Sequence, residues 1–232
     1  MKKEEKEYIK QLENTISQFL KPLKNIPFKI AIKAISGYEV IPFNKNDPKD
    51  KKLLRDLSKA AKIATNNAKT KGIFTRRENE VGNHIEPFLI EALNKVGLKA
   101  DRPITKNGKK KAAGYPDIYL EDRYSRPTYV ECKTYNKRNF QSTQRSFYFS
   151  PAERPSDFKV TCNARHIIVS FEIKKEKRGN KTAFVPIHWK IFDTNNLKVQ
   201  IKHEFNSTNK DMYIKEALLA EGNDKVSKFY LK

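Results

Sequence analysis

Two short stretches carry residues whose types and spacing could do chemistry. The first is Gly114-Tyr115-Pro116-Asp117-Ile118-Tyr119-Leu120; in the second, Tyr129-Val130-Glu131-Cys132-Lys133-Thr134, Glu131 is separated from Asp117 by thirteen residues. Both read as strands, and side chains alternate between the faces of a strand. Asp117 and Tyr119 then share one face, with Ile118 and Leu120 on the other. In the second strand Glu131 and Lys133 point together, opposite Val130, Cys132 and Thr134. The polar run from Glu121 to Pro127, closed by proline, makes a hairpin the economical connection. If the apolar faces build a core, two carboxylates and an ammonium meet on the other side. Two carboxylates can hold Mg²⁺, which takes oxygen ligands and keeps several waters. The metal lowers the pKa of a bound water and polarises a phosphorus centre, and a neighbouring lysine can orient or deprotonate that water. Such a set is a compact kit for phosphodiester hydrolysis. Asp with Glu-x-Lys is nevertheless a common pattern, and alternating charges on a strand are usually a solvated face.

Composition narrows the partners. Lys+Arg 48 against Asp+Glu 27 gives a net charge of +21, which speaks for a nucleic-acid partner. An anionic membrane surface is the alternative, but no apolar run approaches the roughly 20 residues that span a bilayer. The start, Met1-Lys2-Lys3-Glu4-Glu5-Lys6, is not a signal peptide, and Cys132 and Cys162 suit a reducing cytoplasm without a zinc site. The four histidines, His84, His166, His188 and His203, are scattered rather than clustered as metal ligands. No Gly-x4-Gly-Lys-Ser/Thr loop is present, so the chain carries no nucleotide-driven motor.

The elements that must position the candidate residues can be read in order. Ile9, Leu12, Ile16, Phe19 and Leu20 recur at three and four, predicting a helix from Glu5 to Lys21. Residues 28–35 fit a strand or a short helix. Asp47-Pro48 is a helix start, and Leu53, Leu57, Ala60, Ala64 and Ala68 extend that helix to Lys69. Val81, Ile85, Phe88, Leu89, Ala92 and Val96 predict another, stopped by Gly97. Arg165 to Ile173 reads as a buried central strand; Phe184 to Phe192 and Leu197 to Phe205 suggest a further strand pair, and Tyr213 to Ala220 a short helix. The expected organisation is a helical N-terminal region, residues 1–72, packed on the core or making dimer or DNA contacts, followed by a core over residues 73–232.

Two stretches are candidate DNA contacts. Lys109, Lys110 and Lys111 lie in a loop that enters the strand delivering Asp117, where phosphate contact is expected. The run Lys137, Arg138, Asn139, Gln141, Ser142, Gln144 and Arg145 mixes cations and amides suited to base edges with hydroxyls suited to phosphates. Phe147 and Phe149 at its end fit core positions equally well.

Pro116-Asp117 with Glu131-Cys132-Lys133 resembles the PD-(D/E)xK signature of the restriction-endonuclease-like nucleases. Gly82, Glu86 and Gly97 resemble the Gly-x-x-x-Glu…Gly pattern of archaeal Holliday-junction resolvases and Mrr-like enzymes, although Pro87 departs from it. The resemblance covers Glu78 to Ile173. It implies an α/β fold, a mixed β-sheet flanked by helices, and a Mg²⁺ site, with Mn²⁺ as a substitute, held by Asp117, Glu131 and the carbonyl of Cys132. Lys133 would act on the water and Glu86 would support the metal from the helix, Glu78 being the alternative. By resemblance the chain is a type II restriction endonuclease that cuts double-stranded DNA at a short site to leave 5′-phosphates. Its expected partners are a second copy of itself and a cognate DNA methyltransferase, in a prokaryotic cytoplasm. The alternatives are a structure-selective junction or repair nuclease and a non-enzymatic basic DNA-binding protein.

Overall fold

A computed structural model describes residues 3–21, 23–76, 80–111, 114–139, 147, 149–151, 154–201, 208, 210, 218, 220–222 and 227–229. The chain divides into two compact units, Met1–Lys24 with Gln200–Lys232, and Asn25–Val199. In the first, α1 (Lys3–Phe19) forms the predicted helix, with Tyr8, Ile9, Leu12 and Phe19 exposed. The Ile201 amide donates to the Leu23 carbonyl at 3.0 Å, and β8 (Ala220–Gly222) pairs antiparallel with β9 (Ser227–Phe229). The helix expected over Tyr213 to Ala220 falls largely outside the described residues.

The second unit is a five-stranded mixed sheet flanked by helices. Its strands are β2 (Lys99–Asp101), β3 (Ile118–Glu121), β4 (Pro127–Tyr135), β5 (Arg165–Arg178) and β6 (Lys181–Asp193), in spatial order β2-β3-β4-β5-β6. Only β4 and β5 run parallel; the other neighbours are antiparallel. A parallel pair cannot be joined by a tight turn, so the chain crosses over through residues 136–164 between them. β3 and β4 form the expected hairpin.

Helices α3 (Pro48–Lys71) and α4 (Val81–Lys95) cover one face. Asp47 caps α3 by accepting the Lys49 amide at 2.8 Å, with Pro48 at the first helical position, as the sequence predicts. The small residues Ala60, Ala61, Ala64 and Ala68 line its buried stripe, and with Ile85, Leu89 and Leu93 of α4 they pack on Ile118, Leu120, Val130, Val169 and Phe171 of the sheet. Residues 28–35 resolve to a helix, α2 (Phe28–Ser36), because Phe28 and Ile32, four apart, bury the same face. Gly37, at φ +80°, ends it by donating to the Lys33 carbonyl. Phe28 and Ile32 join Tyr115, Tyr129, Phe158 and Val160 in a second core on the opposite face. The face that carries Glu131 is therefore covered too, which alternation along one strand could not reveal.

The predicted strand Leu197 to Phe205 falls partly outside the described residues. Among the described residues it is β7 (Lys198–Val199), and it pairs with β1 (Ile26–Pro27) rather than with β6. β6 instead forms a long hairpin with β5, whose far end is tethered where the Arg178 guanidinium donates to the Thr70 carbonyl of α3 at 2.8 Å. At the other end of α3, fully buried Asp50 accepts from Arg126 at 2.7 Å, Arg165 at 2.9 Å and the Asn44 amide at 2.8 Å. Arg126 also pairs with Asp122 at 2.7 Å. One buried acid thus joins the helix start, the β3–β4 turn and the first residue of β5.

Candidate active site

The site lies where two strands part. The β3–β4 ladder ends at the pair Ile118 and Val130, and from Glu131 onward β4 pairs with β5 alone among the described residues. The next amide on the open side, that of Cys132, would lack a strand acceptor. Asp117 supplies one: its Oδ2 accepts the Cys132 N–H at 2.8 Å. A residue's N–H and C=O leave an extended strand on the same side, so the Cys132 carbonyl also lies along the Asp117 edge.

Glu131 and Lys133 project to one side of β4, as alternation predicts, and pair at 2.7 Å; Lys133 keeps 28% of its side chain exposed while Glu131 keeps 4%. The Lys133 ammonium also sits 5.7 Å from the centre of the Phe147 ring. Glu86 comes in from α4. Pro87 lies within that helix on its exposed side and does not end it, and Glu86 faces Asp117 closely enough for the two charges to repel.

The electrostatics are those of an under-compensated acidic cluster. Burial, then repulsion from Asp117, pushes Glu86 up to about 7. The same two causes push Glu131 to about 7 against the pull of Lys133. Burial raises Asp117 despite the Cys132 amide and Lys133. Lys133 is partly buried, which lowers its pKa, but Glu131 and Asp117 outweigh that and hold it above the ordinary lysine value.

The donor set fits a hard divalent cation. Glu131 Oε2 is buried with no hydrogen-bond partner, a position that is costly to leave unfilled. No group of three or more His, Cys, Asp or Glu forms a metal cage among the described residues. Two carboxylates, a strand carbonyl and retained waters are the coordination that Mg²⁺ favours over a full protein cage.

Of the sequence-predicted residues, the structure brings together Asp117, Glu131, Cys132, Lys133 and Glu86. Glu78 lies outside the described residues, as do Gln141, Ser142, Gln144 and Arg145. Lys137, Arg138 and Asn139 form a 3₁₀ turn directly beyond β4, with Lys137 and Arg138 exposed. Lys109, Lys110 and Lys111 are exposed, but Lys110 pairs with Asp101 and Lys111 pairs with Asp157 at 3.4 Å. Phe147 and Phe149 pack against Phe28 and Tyr115, with ring centres 5.6–5.8 Å apart, so they are core residues.

Two cations near the cluster escaped the sequence reading, Arg102 and Lys159, both of which act on Glu86. Lys159 is only 3% exposed. Its partners are distant in sequence and its neighbours Phe158 and Val160 are ordinary core residues, so no local pattern marks it.

An acid closing the gap between two strands, beside a Glu-x-Lys pair on a mixed sheet, defines a nuclease of the restriction-endonuclease-like class. Residues 22–216 match the family described as type II restriction enzyme MjaV. The type II restriction enzyme MjaV of Methanocaldococcus jannaschii is 37% identical over 230 residues, covering 94% of this chain and 98% of that protein. The chain belongs to the MjaV family of type II restriction enzymes, and is a site-specific endonuclease. Among solved structures it is similar to the tetrameric restriction endonuclease SfiI bound to cognate DNA, with a TM-score of 0.39 and 14% identity over 66% of each chain. No helix among the described residues is long and apolar enough to cross a membrane.

Proposed function

We propose that the chain cuts double-stranded DNA at a short specific site with Mg²⁺, or Mn²⁺ in its place, and leaves 5′-phosphates. The observation that carries this is the Asp117 carboxylate held by the Cys132 amide beside the Glu131–Lys133 pair. Asp117, Glu131 and the Cys132 carbonyl would hold the metal, with Glu86 in support. When bound, the cation supplies an acidified water and neutralises charge gathering on the scissile phosphate.

The rest falls to the chain. Burial keeps bulk water from screening the carboxylates, so they exert their full attraction on a cation and hold it to one place. Lys133 Nζ, anchored by Glu131, orients the attacking water and donates a hydrogen bond to it. Exposed Lys109, Lys137 and Arg138, on loops entering β3 and leaving β4, would contact the backbone, which positions DNA without reading it. Asn139, Gln141, Ser142, Gln144 and Arg145 are our candidates for base readout, and Lys110 and Lys111 for phosphate contact once DNA competes with their ion pairs. A palindromic site calls for a two-fold symmetric protein, so we assign a homodimer, with a cognate methyltransferase to protect the host site.

Digesting a sequenced plasmid with and without Mg²⁺, and mapping the ends, tests this. Discrete fragments with ligatable 5′-phosphates are expected. Cutting confined to branched DNA would make the enzyme structure-selective instead.

A further inference from the structure

A lysine buried to 3% exposure calls for an explanation, because burial disfavours its charge. Lys159 lies between the 3₁₀ turn Pro155–Asp157 and β5, flanked by Phe158 and Val160 at 5% and 1% exposure. Those neighbours pack with Tyr115, two residues before Asp117. The Lys159 ammonium donates to the Lys111 carbonyl at 3.3 Å, and Lys111 in turn pairs with Asp157 at 3.4 Å. Asn107 reaches the same turn through Ser156 at 3.0 Å and Asp157 at 3.2 Å. These contacts hold the amine against the segment that leads into Asp117.

Asp117, Glu131 and Glu86 all act on this amine, in that order, against a burial effect that holds its pKa below the ordinary lysine value. Lys133 is bound to a carboxylate at 2.7 Å; among the described residues Lys159 makes no such ion pair and spends a single long bond on a carbonyl. An ammonium has three N–H groups to place. Once a divalent cation satisfies the carboxylates, the anion left for Lys159 is the one the substrate brings.

We propose that Lys159 is a second catalytic cation of the centre, binding a nonbridging oxygen of the scissile phosphate while Lys133 serves the water. This rests on the nuclease reading above and adds a substrate contact to it. The step forms no covalent bond; the ammonium keeps its protons and donates hydrogen bonds to an oxygen whose charge grows as the water attacks.

The test uses full-length protein and a duplex carrying the mapped site, with either the natural phosphate or a neutral methylphosphonate at the scissile position. Binding is measured for wild type and Lys159→Met with Ca²⁺ in place of Mg²⁺, so that the carboxylates are occupied, on samples checked to hold uncut duplex; single-turnover cleavage of the natural duplex is measured with Mg²⁺. Neutralising the phosphate should change the two affinities by factors that differ about tenfold, the order of one charge-assisted hydrogen bond, and Lys159→Met should cleave at least about tenfold more slowly. Lost cleavage with no difference between the two factors assigns Lys159 to holding the carboxylates and overturns the phosphate contact, as does cleavage at the wild-type rate. If Lys159→Met does not fold, Lys159→Gln, which can still donate to Lys111, is read in the same way. A crystal structure of wild type on uncleaved duplex decides independently: Lys159 Nζ more than about 5 Å from every oxygen of the scissile phosphate, beyond any hydrogen bond, overturns the contact. A wild type that cuts no DNA at all overturns the nuclease reading, and the Lys159 assignment falls with it.

Discussion

Asp117 and Lys133 carry the sharpest predictions at the level of single residues. Asp117→Asn keeps an oxygen that can accept the Cys132 amide but removes a negative charge from the cluster, and Lys133→Ala removes the donor to the water. Each should lower the single-turnover rate by about 100-fold or more, the range for losing one acid–base or oxyanion partner, while DNA affinity in EDTA stays within a few fold. Wild-type cleavage by both variants would remove the assignment. His166 gives a prediction about pH. It is buried, shares a 2.6 Å hydrogen bond with the Tyr115 hydroxyl, and is pushed by burial from 6.5 down to about 3. The fold therefore holds it neutral while the unfolded chain takes up a proton below 6.5, so its contribution is complete above 6.5 and is lost as pH falls toward 3. Glu86 and Glu131, raised to about 7, act in the opposite direction, so the comparison must be with His166→Gln. Between about pH 7.5 and 5.5, wild type should lose about 1.4 kcal/mol more in urea unfolding than the variant; parallel pH profiles would show that His166 does not carry this effect.

At the level of elements, the buried charge network is the most vulnerable joint. Asp50→Ala leaves Arg126 and Arg165 facing each other without their shared acid, and breaking such a pair costs about 3–5 kcal/mol. A loss below about 1 kcal/mol in urea unfolding would mean the network is less coupled than its 2.7 and 2.9 Å contacts imply. How much was legible in the sequence follows the range of the forces involved. The Asp47-Pro48 start, the α4 stripe and the β3–β4 hairpin rest on local periodicity and turn chemistry, and Asp117, Glu131 and Lys133 follow once the hairpin is drawn. Residues 28–35 stayed open because Phe28 and Ile32 find their partners, Tyr115 and Phe158, far along the chain. The short β7, paired with β1 across the whole unit, and buried Lys159 were invisible for the same reason. Alternation tells which residues share a face, but not that a second core covers that face.

At the level of the molecule, a net charge of +21 should show in the salt dependence of DNA binding. Six or more phosphate contacts predict a fall of about 10³-fold or more between 50 and 200 mM salt. A shallow slope would mean that most of the positive charge faces away from the duplex. The bond from the Cys132 amide to Asp117 has a consequence for how such a protein can be lost. Replacing Asp117 by alanine should silence the enzyme and, in the same stroke, strips the Cys132 main-chain donor of its acceptor. A harmless descendant reached by that route should also open more often and be digested sooner by cellular proteases, whereas one reached through asparagine, which still accepts the amide, should persist.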